Sequence, residues 1–131
     1  MPNAEPASVL DASAVMAHLN EEEAAKTVRE AMKEGAAISV ANWAEVLSNV
    51  AAEGDDPRRL ADDLRDAVIL EPITEADSVE IAKLRPITKA QGLSLADRAC
   101  LVLAARLGVA ALTTDHAWED AEVDTEVKLI R

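Results

Sequence analysis

The sequence predicts one α/β domain, a central, mostly parallel, twisted β-sheet flanked by helices on both faces (α/β/α). Three observations lead there. Short apolar runs alternate with segments of helical periodicity along the whole chain. Half of the 131 residues are hydrophobic, enough for a real core and too many for a disordered chain. No linker and no internal repeat divides the sequence, so residues 1–131 read as one domain, with 1–7 as a flexible N-terminal extension.

Residues 8–12, Ser-Val-Leu-Asp-Ala, form a short apolar run suited to a buried strand. Helical material follows over 13–19. Glu21, Glu22 and Glu23 open a second helix, where acids suit the positive end of the dipole. Ala25, Val28 and Met32 give that helix its apolar stripe, and Gly35 is its C-cap. Residues 36–40 are a second strand. The next helix starts at Asn42, with Trp43, Val46, Leu47 and Val50 at helical spacing.

Asp56 as N-cap and Pro57 at the first helical position start a helix carrying Leu60 and Leu64. A third strand, 68–70, is closed by Pro72. Thr74 and Asp77 have capping-box spacing for a helix with Val79, Ile81 and Leu84, which Pro86 ends or kinks. Gly92 marks a turn. The helix over 95–107 is apolar nearly all round, with only Asp97, Arg98 and Arg106 charged, so it reads as buried. A fourth strand at 110–114, a short helix around Trp118 and a last strand at 127–130 complete the chain.

Composition narrows the function. Aromatics are 2%, two Trp with no Phe or Tyr, which disfavours binding by base-stacking platforms. The net charge of -12 disfavours a broad basic face for nucleic acid. It leaves room for an enzyme that handles nucleic acid through metal, because a bound cation inverts local charge. Cys100 is the single cysteine, so an intrachain disulfide or a Cys-based zinc site is ruled out and a reducing cytoplasm fits. The two histidines, His18 and His116, are too few for a His-rich site. Apolar stretches fall well short of the ~20 residues that span a bilayer. The N-terminus lacks the pattern of a signal peptide.

Four acids stand out by position. Asp11 ends the first strand, Glu45 and Asp97 lie in first turns of helices, and Asp115 follows the fourth strand. Ligands of open parallel sheets bind beyond the carboxyl ends of the strands, where Asp11 and Asp115 share an edge. Each acid also has a local explanation. Asn42/Glu45 and Ser94/Asp97 have capping-box spacing, and Asp11 and Asp115 suit helix N-caps. Asp97 strains that view most, as a charge on a helix with almost no polar face, in want of a cation. Arg98 is next in sequence but points elsewhere on the helix. Glu45 lies opposite its helix's apolar stripe. Clustered carboxylates repel one another, and an oxygen-only set suits Mg²⁺ or Mn²⁺ rather than zinc.

Four segments resemble the motifs of PIN-domain ribonucleases, and of VapC-type toxins of bacterial toxin–antitoxin modules in particular. They are Val9-Leu10-Asp11-Ala12-Ser13, Asn42-Trp43-Ala44-Glu45-Val46, Leu93-Ser94-Leu95-Ala96-Asp97-Arg98-Ala99-Cys100-Leu101 and Leu112-Thr113-Thr114-Asp115-His116-Ala117-Trp118. The third is the most specific, and the resemblance runs from Val9 to Ile130.

The resemblance implies a Mg²⁺- or Mn²⁺-dependent endoribonuclease acting through metal-activated water and leaving 5′-phosphate and 3′-hydroxyl ends. It carries the acidic quartet over to Asp11, Glu45, Asp97 and Asp115. Asp11, Asp97 and Asp115 would be the main metal carboxylates, with Glu45 acting directly or through water. The implied partners are RNA, a cognate antitoxin able to send a basic side chain into the acidic site, and a second copy of the chain, with no membrane.

Ser13, Thr113 and Arg98 are candidates for supporting the site or touching substrate, and Asp120 for a further carboxylate. Lys83, Arg85 and Lys89 are candidates for a basic rim against the reading of plain solubilising charges. His116 reads as a loop histidine, His18 has no evident partner, Cys100 fits as a small core residue, and Trp43 and Trp118 as packing anchors. Two alternatives remain. One is a catalytically silent interaction module on the same fold. The other is an Asp11-based phosphatase or phospho-acceptor, against which Ser13 stands where a second Asp is wanted.

Overall fold

Strands β1 (Ser8–Leu10), β2 (Ala36–Ser39), β3 (Ile69–Glu71), β4 (Ala110–Thr113) and β5 (Val127–Leu129) form one sheet in the order β3-β2-β1-β4-β5. Every neighbouring pair is parallel in this computed structural model, which describes residues 5–131. β1 is central, with Leu10 in register with Ile38 on one side and Leu112 on the other. The chain lays β2 and β3 to one side of β1, then crosses to lay β4 and β5 on the other. The β1/β4 boundary is therefore the switch point of the sheet, where a crevice opens at the carboxyl ends.

Both sheet faces are covered, which explains why the strands read as unbroken apolar runs. Side chains alternate between the faces. Leu10, Ile38 and Leu112 pack with Ala14, Val15, Val28, Val46 and Leu64 from helices α1 (Ala12–Leu19), α2 (Ala25–Glu34), α3 (Val40–Ala52) and α4 (Pro57–Leu64). Val9, Ala37 and Ala111 face the opposite way, onto Cys100, Leu101, Leu103, Ala104 and Trp118. That face is closed by helix α6 (Leu95–Leu107) and a short 3-10 helix (His116–Asp120). Helix α5 (Glu75–Thr88) packs on α6 through Ile81, Ala99 and Val102.

Several expected boundaries hold and several shift. Asp56 caps α4 with Pro57 in its first turn, and both capping boxes form, Thr74/Asp77 on α5 and Ser94/Asp97 on α6. The second helix does not open at Glu21. Its cap is Ala24, and Glu21 to Glu23 lie in the preceding turn, with Glu21 at φ 54°. Asn42 is not a cap. Ser39 caps α3 by accepting the Ala41 N–H, which places Asn42 inside the helix and fully buried. The first polar residue that can reach the free N–H groups takes the cap, and Ser39 comes first.

Pro86 does not end α5, which continues to Thr88. One lost N–H in a last turn removes one bond, and the Thr88 hydroxyl closes the end on the Leu84 carbonyl at 2.8 Å. Residues 1–4 of the expected N-terminal extension lie outside the described residues, while the Ala7 N–H donates to Gly35 O at 2.8 Å.

Arg106 ties α6 to the start of α5 through Nε to Asp77 Oδ1 at 3.1 Å. Burial pushes the Asp77 carboxyl up, but the Thr74 bonds and Arg106 outweigh it and hold the group below its ordinary value. A carboxylate held low stabilises the fold above its unfolded pKa and loses that contribution as pH falls through the folded one. Arg106→Ala is therefore expected to cost about 1 kcal/mol at neutral pH, a modest value because Arg106 is partly exposed. The difference from wild type should narrow as pH falls below the ordinary carboxylate range, as read by thermal melts across pH.

Candidate active site

At the switch point a cleft of about 320 Å³ is lined by Asp11, Ala12, Ser13, Met16, Glu45, Asn49, Ser94, Asp97 and Asp115. All four acids singled out in the sequence line it, from segments as far apart as Asp11 and Asp115. Three of them cap helices: Asp11 for α1, Asp97 within the Ser94 box of α6, and Asp115 for the 3-10 helix. The capping reading and the clustering reading are thus both correct for these three. Asp11 and Asp115 meet because β1 and β4 are neighbouring strands, and the start of α6 brings Asp97 beside them, whereas the Ser39 and Thr74 caps after β2 and β3 lie outside the cleft. Glu45 caps nothing. It projects from the second turn of α3, half-buried.

Asp11 is 2% exposed and held from three sides. Its Oδ1 accepts the Ala14 N–H at 2.8 Å, the Ser13 hydroxyl donates to the carboxylate at 2.7 Å, and the Thr113 hydroxyl donates to Oδ2. Both hydroxyls also accept from β4's exit. Ser13 Oγ takes the Thr114 N–H at 3.0 Å, and Thr113 Oγ1 takes the Asp115 N–H at 3.0 Å. This bracket locks the end of β1 to the end of β4. It also engages both oxygens of Asp11.

The electrostatics are those of crowded acids. Burial pushes the Asp11 carboxyl up to about 6, against the opposing bonds from Thr113, Ser13 and Ala14, with Asp97 adding to the rise. Burial and then Asp97 raise Glu45. Asp97 is raised by burial, opposed by its Ser94 bonds, raised again by Asp115 and relieved in part by Arg98. Asp97 is therefore the electrostatic hub, within reach of the other three.

The donor set is all oxygen and anionic, which fits a hard divalent cation, and such a cation reverses both burial cost and mutual repulsion. Among the described residues no three His, Cys, Asp or Glu side chains are drawn together tightly enough to enclose an ion. The carboxylates share a cleft rather than one coordination sphere.

Other candidates fall elsewhere. Arg98 is buried behind the cleft, with Nη1 donating to the Ile81 carbonyl at 3.0 Å, so its charge reaches Asp97 but its fork does not line the cleft. Asp120 and His116 are exposed on the 3-10 helix, and His116 lies 3.4 Å from Glu119. Lys83 pairs with Glu80 on α5, and neither it, Arg85 nor Lys89 lines the cleft. His18 does have a partner, since its Nδ1 accepts from Arg29 Nε at 3.0 Å. Cys100 is fully buried, its thiol pushed up by burial and by Asp11 and Asp97. Trp118 is fully buried and Trp43 half-buried against the first core.

Sequence reasoning missed Asn49, Met16 and Ser94 as walls of the cleft. Asn49 was findable, one helical turn beyond Glu45 on the same face. Met16 also borders a neighbouring groove of about 370 Å³ between α1, α3 and α4. Its floor includes Leu19, Val50 and Leu60, and its rim includes Glu53, Asp55, Asp56 and Asp63 with Arg59.

The PIN domain family model matches residues 8–123, nearly the whole chain and all four acids. The chain belongs to the PIN domain family. No curated protein matches it closely enough to report. Solved structures similar to this PIN domain include a toxin–antitoxin complex from Klebsiella pneumoniae, 20% identical, with a TM-score of 0.72 over 92% of this chain and 95% of that one. VapBC2 from Rickettsia felis, bound to a DNA fragment from its promoter, is 14% identical with a TM-score of 0.71 over 92% and 96%. FitAcB from Neisseria gonorrhoeae is 21% identical with a TM-score of 0.67 over 92% and 95%. At these identities the likeness speaks for the fold of the PIN domain. Among the described residues no helix is long and apolar enough to cross a membrane.

Proposed function

We propose that this PIN domain is a Mg²⁺- or Mn²⁺-dependent endoribonuclease and the toxin of a toxin–antitoxin pair in the cytoplasm. The observation that carries this reading is the meeting of Asp11, Glu45, Asp97 and Asp115, from four separate segments, in one cleft at the switch point. Four converging acids serve no packing purpose, and a binding module has no need of them. Asp11, Asp97 and Asp115 would hold the cation, with Glu45 doing so directly or through water. When bound, a divalent cation neutralises the approaching phosphodiester and activates water at neutral pH.

The chain's own groups do the rest. The Ser13 and Thr113 hydroxyls fix the orientation of the Asp11 carboxylate and keep it ionised against its burial. The Ser94 box fixes Asp97 at the mouth of α6, where the Ser94 N–H donates to it at 2.9 Å. Met16 and Ala12 supply the apolar part of the cleft wall. Products would carry 5′-phosphate and 3′-hydroxyl ends.

The similar structures include toxin–antitoxin complexes, and the groove beside the cleft supports an antitoxin partner here. An apolar floor with an acidic rim suits a basic amphipathic segment, and its continuity with the cleft through Met16 lets a Lys or Arg of that segment enter among the carboxylates. Exposed Val40 and Leu95, at the starts of α3 and α6, are apolar surface for self-association.

The test is cleavage of total cellular RNA by antitoxin-free protein with Mg²⁺, Mn²⁺ or EDTA, beside Asp97→Asn. Discrete cuts with either metal, lost in EDTA and in the variant by about 10³-fold, are expected. A folded protein that neither cuts RNA nor binds Mn²⁺ would instead be a silent interaction module.

A further inference from the structure

We propose that Asn49 is the RNA-binding residue of the acidic cleft, its carboxamide donating to a backbone oxygen of the nucleotide next to the scissile phosphate. This rests on the nuclease reading above. RNA presents acceptor oxygens, and the cleft presents mostly acceptors too. Asp11, Glu45, Asp97 and Asp115 offer no donor when ionised, and Ala12 and Met16 have no polar hydrogen. The Ser13 hydroxyl is spent on Asp11, and Ser94 Oγ accepts the Asp97 N–H at 3.1 Å in its capping box, which leaves its single O–H as the one other side-chain donor of the lining.

Asn49 offers more than that single hydroxyl. It is exposed, and neither amide atom has a partner among the described residues. It brings two N–H donors to a wall that otherwise repels phosphate, and brings them without a positive charge that the acids would capture. Its place follows from helix geometry. One turn beyond Glu45, it stands about 6 Å further along α3 on the face that lines the cleft. That offset puts it beyond the reacting phosphate and beside the neighbouring nucleotide, so its contribution belongs to binding rather than to the chemical step.

The experiment pairs two readouts on a random-sequence pool of short single-stranded RNA. Binding is followed by fluorescence anisotropy with Ca²⁺ in place of Mg²⁺, and cleavage kinetics with Mg²⁺. Asn49→Ala is expected to weaken binding and raise KM about tenfold each, with kcat within about twofold. Asn49→Gln keeps the donors and should recover part of the loss. Asn49→Asp adds a fifth carboxylate and should lose more than Ala. Mn²⁺ affinity, read by electron paramagnetic resonance, should be unchanged in Asn49→Ala.

Binding and KM of Asn49→Ala within twofold of wild type would overturn the proposal. So would a fall in kcat accompanied by weaker Mn²⁺ binding, which would make Asn49 a support of the metal site. Wild type that binds the pool without cutting it overturns the nuclease reading alone, and the binding arm still decides Asn49. Wild type that neither binds nor cuts overturns both.

Discussion

Asp11→Asn is expected to abolish RNA cleavage, by about 10³-fold or more, and at the same time to raise the melting temperature of the metal-free protein. The two effects have one cause. Asp11 is 2% exposed, and its carboxyl is raised from 3.8 to about 6, first by burial and then, against three hydrogen bonds, by Asp97. Between those values the folded state binds more protons than the unfolded state, so stability falls as pH rises through the window. Unlike Asp77, Asp11 costs the fold nothing below pH 3.8 and opposes it increasingly as pH rises, most of all at neutral pH.

A shift of this size corresponds to about 3 kcal/mol of opposition at pH 7. Asn keeps the shape and the Oδ1 that accepts the Ala14 N–H, and it removes the charge. It weakens the Ser13 bond at Oδ1 and puts an NH2 donor where Oδ2 accepts from the Thr113 hydroxyl, so that bond must turn round, and the net gain expected is about 1 kcal/mol, or roughly 3 °C. Melts in EDTA at pH 5 and pH 7.5 would measure it, with the larger gain at pH 7.5. A lower melting temperature at pH 7.5 would make Asp11 a structural residue and remove the main support for a functional site. Saturating Mn²⁺ should stabilise wild type and leave Asp11→Asn nearly unmoved.

The second large effect is on stability. Trp118 is the largest fully buried side chain among the described residues, and it anchors the 3-10 helix on the core beneath α6. Trp118→Ala should cost about 3–5 kcal/mol and roughly 10–15 °C of melting temperature. Trp118→Phe should cost much less. The indole Nε1 has no partner among the described residues, so its removal forfeits no hydrogen bond, and most of the apolar volume stays. Since Asp115 caps the 3-10 helix that Trp118 anchors, the Ala variant should also lose metal affinity at temperatures where it remains folded. Calorimetry and Mn²⁺ titration of the two variants would separate packing from position. Equal losses for Phe and Ala would show a hidden role for the indole N–H.

Helix α6 was the most legible part of the chain. Its bounds and its Ser94/Asp97 box follow from contiguous residues, because a capping box and a helix stripe are local interactions completed within one or two turns. The α4 and α5 starts were legible for the same reason. Asn42 was misread because two local signals competed. The spacing to Glu45 suggested a cap, and only the end of β2, set by pairing with β1 and β3, decided that Ser39 takes that role. Pro86 was misread because the cost of a proline depends on how many bonds lie beyond it, which is a matter of where the helix stops.

The sequence by itself determined the alternation of strands and helices, the single domain and the four acids. These are encoded in periodicity, in turn chemistry and in motifs read along the chain. The tertiary structure decided what those acids mean. It alone turned three ordinary caps and one stray glutamate into a single crowded cleft, because strand order places the ends of β1 and β4 side by side. It alone joined Ser13 to Thr113 around Asp11, buried Arg98 behind the cleft rather than at its rim, and placed Asn49 on the wall. Contacts between distant residues depend on which strands are neighbours, and no local pattern records that.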